Sequence, residues 1–206
     1  MVALWSVATT AGLFLDHLFY QYVLNEPLVG AINSGPANGL SLALFLILMA
    51  ESVGQGLLVG GLQWVVLSQI VREAQWWILA SILGWAVFFC LDFAYLGLAP
   101  RVAAITQAAG GLSKLSELLL FELATGLVVG LVQWTALRAW GRPARLWVLV
   151  VILAQMLSVL VAQLPLPAQA GTLLGWITEG LITGLGIALL LKTCWPTLAE
   201  REQVVG

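Results

Sequence analysis

The chain has 206 residues, of which 61% are apolar and 9% charged, with a formal net charge of −2 at pH 7. Its mean hydropathy is +1.01. This composition excludes a water-soluble globular domain, and several windows exceed the roughly 18 to 20 apolar residues needed to cross a hydrocarbon core. The expected fold class is therefore an all-α, polytopic membrane helix bundle. Positions 1–206 are expected to form a single transmembrane domain in contact with the lipid bilayer and without a nucleic-acid partner.

In chain order, six transmembrane helices are expected at roughly 3–24, 40–71, 76–98, 111–140, 145–164 and 171–194. The first apolar run has no basic leader and carries Asp16 and His17, so it reads as a membrane helix rather than a cleaved signal peptide. Asn25-Glu26-Pro27 is expected to end it, and Ala99-Pro100 to end the third helix. Gly110-Gly111 would open the fourth and Gly141-Arg142-Pro143 close it, while Pro165 and Pro167 follow the fifth. About 30 residues at ~1.5 Å each make ~45 Å, more than a hydrocarbon core of ~30 Å. The second and fourth helices must then tilt or include interfacial segments, and a kink or break near Gly54–Gly56 is expected in the second.

The chain repeats itself. Gly56, Gly60, Gln63, Trp64, Leu67, Arg72, Ala74, Trp77 and Leu79 recur, shifted by 70 positions, as Gly126, Gly130, Gln133, Trp134, Leu137, Arg142, Ala144, Trp147 and Leu149. Trp5 is followed seven residues later by Gly12, as Trp77 is by Gly84 and Trp147 by Ala154. Gly39-Leu40-Ser41 returns as Gly111-Leu112-Ser113. A third copy keeps Gly180 and Gly184 but places Ile187 where Gln63 and Gln133 would align. The pattern predicts three tandem helical hairpins, at about 1–71, 72–140 and 141–194, in a pseudo-threefold bundle. Arg72, Arg138, Arg142, Arg145, Lys192 and Arg201 fall on one side, and Arg101 and Lys114 on the other, which places both termini in the cytoplasm.

Gly56, Gly60 and Gln63 share one helix face, as do Gly126, Gly130 and Gln133, and Gly180 and Gly184 continue the pattern. Small residues at this spacing let helices approach closely. The glutamines would then bond to each other or to backbone carbonyls, or else hold the polar head of a ligand. Asp16, His17, Asp92, Glu122 and Glu179 lie within apolar runs, with Glu51 at the outer part of one. An ionised carboxylate in hydrocarbon costs at least roughly 2.5 kcal/mol. These acids must be neutral, bound to a cation, paired with His17, or near the interface. Glu122 shares the face of Gly126, and Glu179 is expected about one turn deeper than the position equivalent to Glu122. Together, Asp16, His17, Gln63, Asp92, Glu122, Gln133 and Glu179 are the candidates for a ligand site or ion pathway.

His17 is the only histidine, which excludes a bis-histidine haem and a histidine-rich zinc site; no metal site is expected. One axial ligand to a chlorophyll-type pigment remains open. No Gly-x-Ser-x-Gly element, phosphate-binding glycine loop or mid-helix lysine is present, and no catalytic residue is expected. Cys90 and Cys194 read as small packing residues rather than a disulfide. Among ten tryptophans, Trp76, Trp77, Trp140, Trp147 and Trp195 are expected in an interfacial belt. Trp64 and Trp134 lie deeper, to pack beside the glycines or line a site for a carotenoid, quinone or pigment tail.

The pattern Gly56-x3-Gly60-x2-Gln63-Trp64-x2-Leu67, followed by a basic turn and Trp77, resembles uncharacterised multi-pass membrane proteins of bacteria, several from phototrophs. The resemblance implies a bacterial inner or internal photosynthetic membrane and carries over no activity. The leading functional expectation is a non-catalytic subunit or scaffold in a photosynthetic or respiratory assembly. It would have membrane-protein partners or self-associate, and would hold a lipid, quinone, carotenoid or single pigment. The alternative is a small proton- or cation-coupled transporter that uses the buried carboxylates.

Overall fold

The structure, a computed structural model, describes residues 1–34, 42–71, 74–108, 114–138 and 142–205. Side chains at 28, 31–34, 91–92, 94–108, 114, 142 and 195–205 are outside that description. The described residues are almost all helical and contain no strand. In hydrocarbon only intrachain backbone hydrogen bonds can satisfy the peptide groups, so a sequence this apolar has few alternatives to the helix.

Among the described residues seven α-helices follow in order: α1 Val2–Phe19, α2 Asn25–Ser34, α3 Leu42–Leu67, α4 Gln75–Ala108, α5 Lys114–Leu137, α6 Leu146–Ala162 and α7 Ala168–Val205. Among the described residues five segments are long and apolar enough to cross a membrane: Val2–Pro27, Leu42–Leu67, Leu115–Leu137, Pro143–Ala162 and Ala168–Cys194. Gln75–Cys90 is a shorter apolar helix, where a full sixth crossing was expected.

Several boundaries differ from the sequence reading. The first helix does not end at Asn25-Glu26-Pro27; a π turn over Tyr20–Leu24 joins α1 to α2. That turn contains Val23, whose carbonyl would have accepted from the N–H that Pro27 lacks, so the wider turn absorbs the missing donor. Of the expected kink or break near Gly54–Gly56, the break does not occur, since α3 runs unbroken from Leu42 to Leu67. Its glycines make room instead. A Cβ on Gly54 would lie 3.4 Å from the Phe19 ring, and one on Gly56 2.6 Å from the Ile82 Cα. The helix α4 continues through Ala99-Pro100, and α7 continues past 194 to Val205. One proline removes a single donor and need not end a long helix. Gly110-Gly111, Gly141 and the two Gly-Leu-Ser segments lie outside the described residues.

The long helices touch in the order α1, α3, α4, α5, α6, α7, and α7 closes back on α1. The result is a ring of alternating direction, with the starts of α1, α4 and α6 at one end. Leucines cover its outside, as in the exposed stripe Leu173, Ile177, Leu181, Leu185 and Leu189 on α7. Lipid offers such side chains as good an environment as protein does, so helix association must rest on close packing and polar contacts. The densest packing lies at the end where α1, α4 and α6 begin. There Trp5, Trp77 and Trp147 meet Val66, Leu67, Leu137, Ile187, Leu190 and Cys194.

Candidate functional site

Trp5, Trp77 and Trp147 stand near the starts of α1, α4 and α6 and converge inside the ring. Their exposures are 0%, 1% and 1%. Ring centroids are 5.5 Å apart for Trp5–Trp77, 6.1 Å for Trp5–Trp147 and 5.3 Å for Trp77–Trp147, each pair edge to face. Trp77 and Trp147 are therefore core residues, not members of an interfacial belt. Interfacial position explains a tryptophan only when its ring has lipid to face, and here all three rings face one another. Trp76 is exposed, while Trp64 and Trp134 pack against the core from the side.

A buried indole N–H needs an acceptor. Trp77 Nε1 donates to Gln63 Oε1 at 3.0 Å, and Trp147 Nε1 donates to Gln133 Oε1 at 2.9 Å. Each glutamine passes the contact on. Gln63 Nε2 donates to Thr9 Oγ1 at 2.9 Å, and Gln133 Nε2 to Ser81 Oγ at 3.2 Å. The glutamines bond neither to each other nor to backbone carbonyls; each bridges an indole and a hydroxyl on two neighbouring helices. Thr9, Ser81 and the tryptophans are the partners that the sequence reading missed. The signal was there in Trp5–Thr9 and Trp77–Ser81, an aromatic donor and a hydroxyl one helical turn apart on the same face.

The third indole is satisfied differently. Trp5 Nε1 donates to Thr183 Oγ1 at 3.1 Å. The glycine contacts explain why. A Cβ on Gly60 would lie 3.7 Å from Ile78 Cα, one on Gly130 3.1 Å from Val148 Cα, and one on Gly180 3.1 Å from Ser6 Cα. Ile78, Val148 and Ser6 each follow one of the three tryptophans. Gly180 thus stands at the level of Gly60 and Gly130, not of Gly56 and Gly126. The alignment that put Ile187 at the glutamine level is one helical turn out of register. Thr183 is at that level, and Ile187 joins Leu67 and Leu137, all three at 2% exposure or less.

The same register places Glu179 with Val59 and Val129, each one residue before its glycine. Glu179 is then about two turns further along its helix than the level of Glu122, rather than one. It is 9% exposed, and Gln155 Nε2 donates to its Oε1 at 3.1 Å. Asp16 lies on the buried stripe of α1 with Trp5, Thr9 and Gly12. It is 9% exposed, and its Oδ1 has no hydrogen-bond partner. Glu51 on α3 is half-buried and within electrostatic range of Asp16, as half-buried Glu122 on α5 is of Glu179.

His17 does not pair with Asp16. It is exposed, with its ring 5.6 Å from that of Trp176 on α7. Adjacent positions on a helix point about 100° apart, so the two side chains leave α1 in different directions. The side chain of Asp92 lies outside the described residues. Among the described residues no group of three histidine, cysteine, aspartate or glutamate side chains could hold a metal ion. Cys90 is exposed and Cys194 is buried. The described cations, Arg138, Arg145 and Lys192, are exposed. No protein-family model, curated protein or solved structure matches this chain.

Chemically, the ring has two unlike zones. Around Trp5, Trp77 and Trp147 each of the three indole N–H groups is bonded and the rings are buried. Toward the opposite end, four described acids, Asp16, Glu51, Glu122 and Glu179, are buried or half-buried, with the Gln155 amide on Glu179. Among the described residues, no hydrogen bond in either zone pairs a nucleophile with a base.

Proposed function

We propose that this chain is a non-catalytic bacterial inner-membrane protein that moves protons or a small cation along its interior carboxylates. In this reading it crosses the membrane six times as three tandem hairpins, with α4 supplying the remaining crossing and both termini in the cytoplasm. The acids enter from the outer face, and the tryptophan layer is the closure on the cytoplasmic side.

The observation that carries this reading is Asp16, a carboxyl on the interior stripe of α1 with one buried oxygen unbonded. A purely structural acid in such a place gains hydrogen bonds that offset its burial. A buried acid without such bonds inside a membrane protein is typical of functional sites, ion and proton paths among them. Recurrence of the same contacts around the ring supports the hairpin architecture, since transporters are commonly built from repeated units.

The test is flux in proteoliposomes loaded with a pH-sensitive dye, driven by a potassium diffusion potential, and repeated with sodium and potassium gradients. The reading requires a flux that falls when Asp16, Glu51, Glu122 and Glu179 are together replaced by Asn and Gln. An unchanged flux in that variant overturns it.

A second reading, as a subunit of a larger membrane assembly, is favoured by a groove of about 380 Å³ between α1 and α7. It opens to the outside and is lined by Val7, Ala11, Phe14, Leu173 and Ile177, with Thr10 as a polar member. Its shape and lining suit the tail of a lipid, quinone or carotenoid. A copurifying pigment or partner protein would support that reading.

A further inference from the structure

One level of the ring is filled by Val59 on α3, Val129 on α5 and Glu179 on α7. The small residue opposite is Gly12 for Val59 and Gly84 for Val129: Cβ atoms there would lie 2.7 and 3.3 Å from the facing valine Cα atoms. In the third case the matching residue is fully buried Ala154, seven residues beyond Trp147. Next to these small residues come Leu13, Trp85 and Gln155. Two of three equivalent places are therefore built from apolar side chains alone. The ring closes there without polar help, so packing does not call for Gln155 and Glu179.

Yet the third place holds a carboxyl and, facing it, an amide donor at 3.1 Å. Burying that pair costs free energy that Val59 and Val129 do not incur. Its position is also particular. Glu179 sits one turn before Thr183, whose hydroxyl donates to the Glu179 carbonyl at 2.8 Å and receives the Trp5 indole N–H. Glu179 is thus the innermost of the described interior acids, directly against the tryptophan layer.

We propose that Glu179 is the proton-binding group of the ring, and that Gln155 is a positioning residue that aims its carboxyl into the interior. This rests on the reading of proton or cation movement given above and names the residue and the ion. The groups facing Glu179 from its neighbours fit a proton better than a metal. From α6 comes the neutral Gln155 and from across the ring Glu122, while Asp16, the described acid of α1, lies within range of Glu51 instead. His17 faces Trp176 instead, and Lys192 on the same helix is exposed. No trio of ligating side chains is available among the described residues. A proton needs one carboxyl and one hydrogen-bond partner, and Gln155 can serve both forms: its N–H donates to the carboxylate, and its C=O can accept from the neutral acid.

The experiment uses the full chain in proteoliposomes with two readouts, dye-reported proton flux and the infrared carboxylic C=O stretch. Glu179→Gln should reduce flux at least tenfold and remove one C=O band. Glu179→Asp should keep part of the flux. Gln155→Leu should shift that same band and reduce flux several-fold, which a merely structural role would not do to the band. Unaltered tryptophan emission reports folding of each variant. The proposal is overturned if Glu179→Gln keeps both flux and band, or if Asp16→Asn abolishes flux while Glu179→Gln does not. In the latter case the functional reading stands and only the assignment falls. If the unmodified protein carries no flux, that reading falls, and the band alone decides whether Glu179 binds a proton.

Discussion

Thr183 receives the indole proton of Trp5 at 3.1 Å, joining the two ends of the helix ring across 178 positions of sequence. Beside it, Ser6 Oγ donates to the Gly180 carbonyl at 2.9 Å. The closure of α7 on α1 therefore uses the same kind of contact as the glutamine bridges, at the same level of the ring and with a shorter side chain.

That link is testable by a double-mutant cycle. Thr183→Val strands a buried N–H, at a cost of about 1 to 2 kcal/mol. Trp5→Phe removes the donor along with part of the ring and costs more through lost packing. With Phe at 5, Thr183→Val should cost only a few tenths of a kcal/mol, a coupling of about 1 kcal/mol. Additive effects in reversible unfolding from detergent micelles would show that the hydroxyl does not hold the indole.

How much of this was legible follows from the physics of each residue. Helix content and membrane character were readable because hydropathy is a property of composition, and the Gly60 and Gly130 seams because close approach needs a missing side chain. The inward set of Trp77 and Trp147 was not readable. An interfacial tryptophan and a core tryptophan near a helix start share the same sequence surroundings, and only the third ring, Trp5, decides between them. The slip at Gly180 was hidden because Gly180-x3-Gly184 copies the Gly56-x3-Gly60 spacing while sitting one turn away from it. Pro27 and Pro100 misled for a related reason: a proline marks a missing donor, and neighbouring turns can absorb that loss. Asp16 and His17 look like a pair in sequence, but helix geometry sends them apart.

Glycine positions separate packing from flexibility. A Cβ at Gly56 would stand 2.6 Å from Ile82 Cα, and one at Gly126 2.6 Å from Ile152 Cα. Both obstacles are backbone, so α3 and α4, or α5 and α6, must move apart to admit a methyl. Gly56→Ala and Gly126→Ala should each destabilise by roughly 1 to 3 kcal/mol. Gly61 has nothing within 4 Å of a new Cβ, so Gly61→Ala should be neutral or gain up to about 1 kcal/mol from helix propensity. Equal effects at Gly56 and Gly61 would refute the close-approach account.

The amide bridges carry a directional prediction. Interhelical hydrogen bonds in membranes average about 0.6 kcal/mol, whereas each edge-to-face aromatic pair contributes about 0.5 to 1.5 kcal/mol. Three ring pairs outweigh two amide bridges, so Gln63→Leu should weaken the fold less than Trp77→Ala, which loses roughly 3 to 5 kcal/mol of packing. The amide should matter more for uniqueness. Gln63→Leu is expected to shift the tryptophan emission, because the Trp77 N–H loses its acceptor. An unshifted spectrum would mean that the indole finds another acceptor.

Asp16 allows stability and function to be set against each other. Its helix stripe continues from Trp5, Thr9 and Gly12, and the residues eleven beyond Trp77 and Trp147 are Phe88 and Ser158. A carboxyl is therefore not demanded by the ring at this level. Its unbonded Oδ1 is a cost that a neutral apolar side chain avoids. Asp16→Leu should accordingly raise stability by roughly 1 to 3 kcal/mol, and Asp16→Asn by less because an amide is still polar. Both should lose flux in proteoliposomes, giving a more stable but less active protein. Thermal unfolding in one detergent, beside flux under one gradient, makes the comparison. Destabilisation of Asp16→Leu by more than about 1 kcal/mol would mean that the carboxyl makes a net favourable contact, and Asp16 would then be a structural acid.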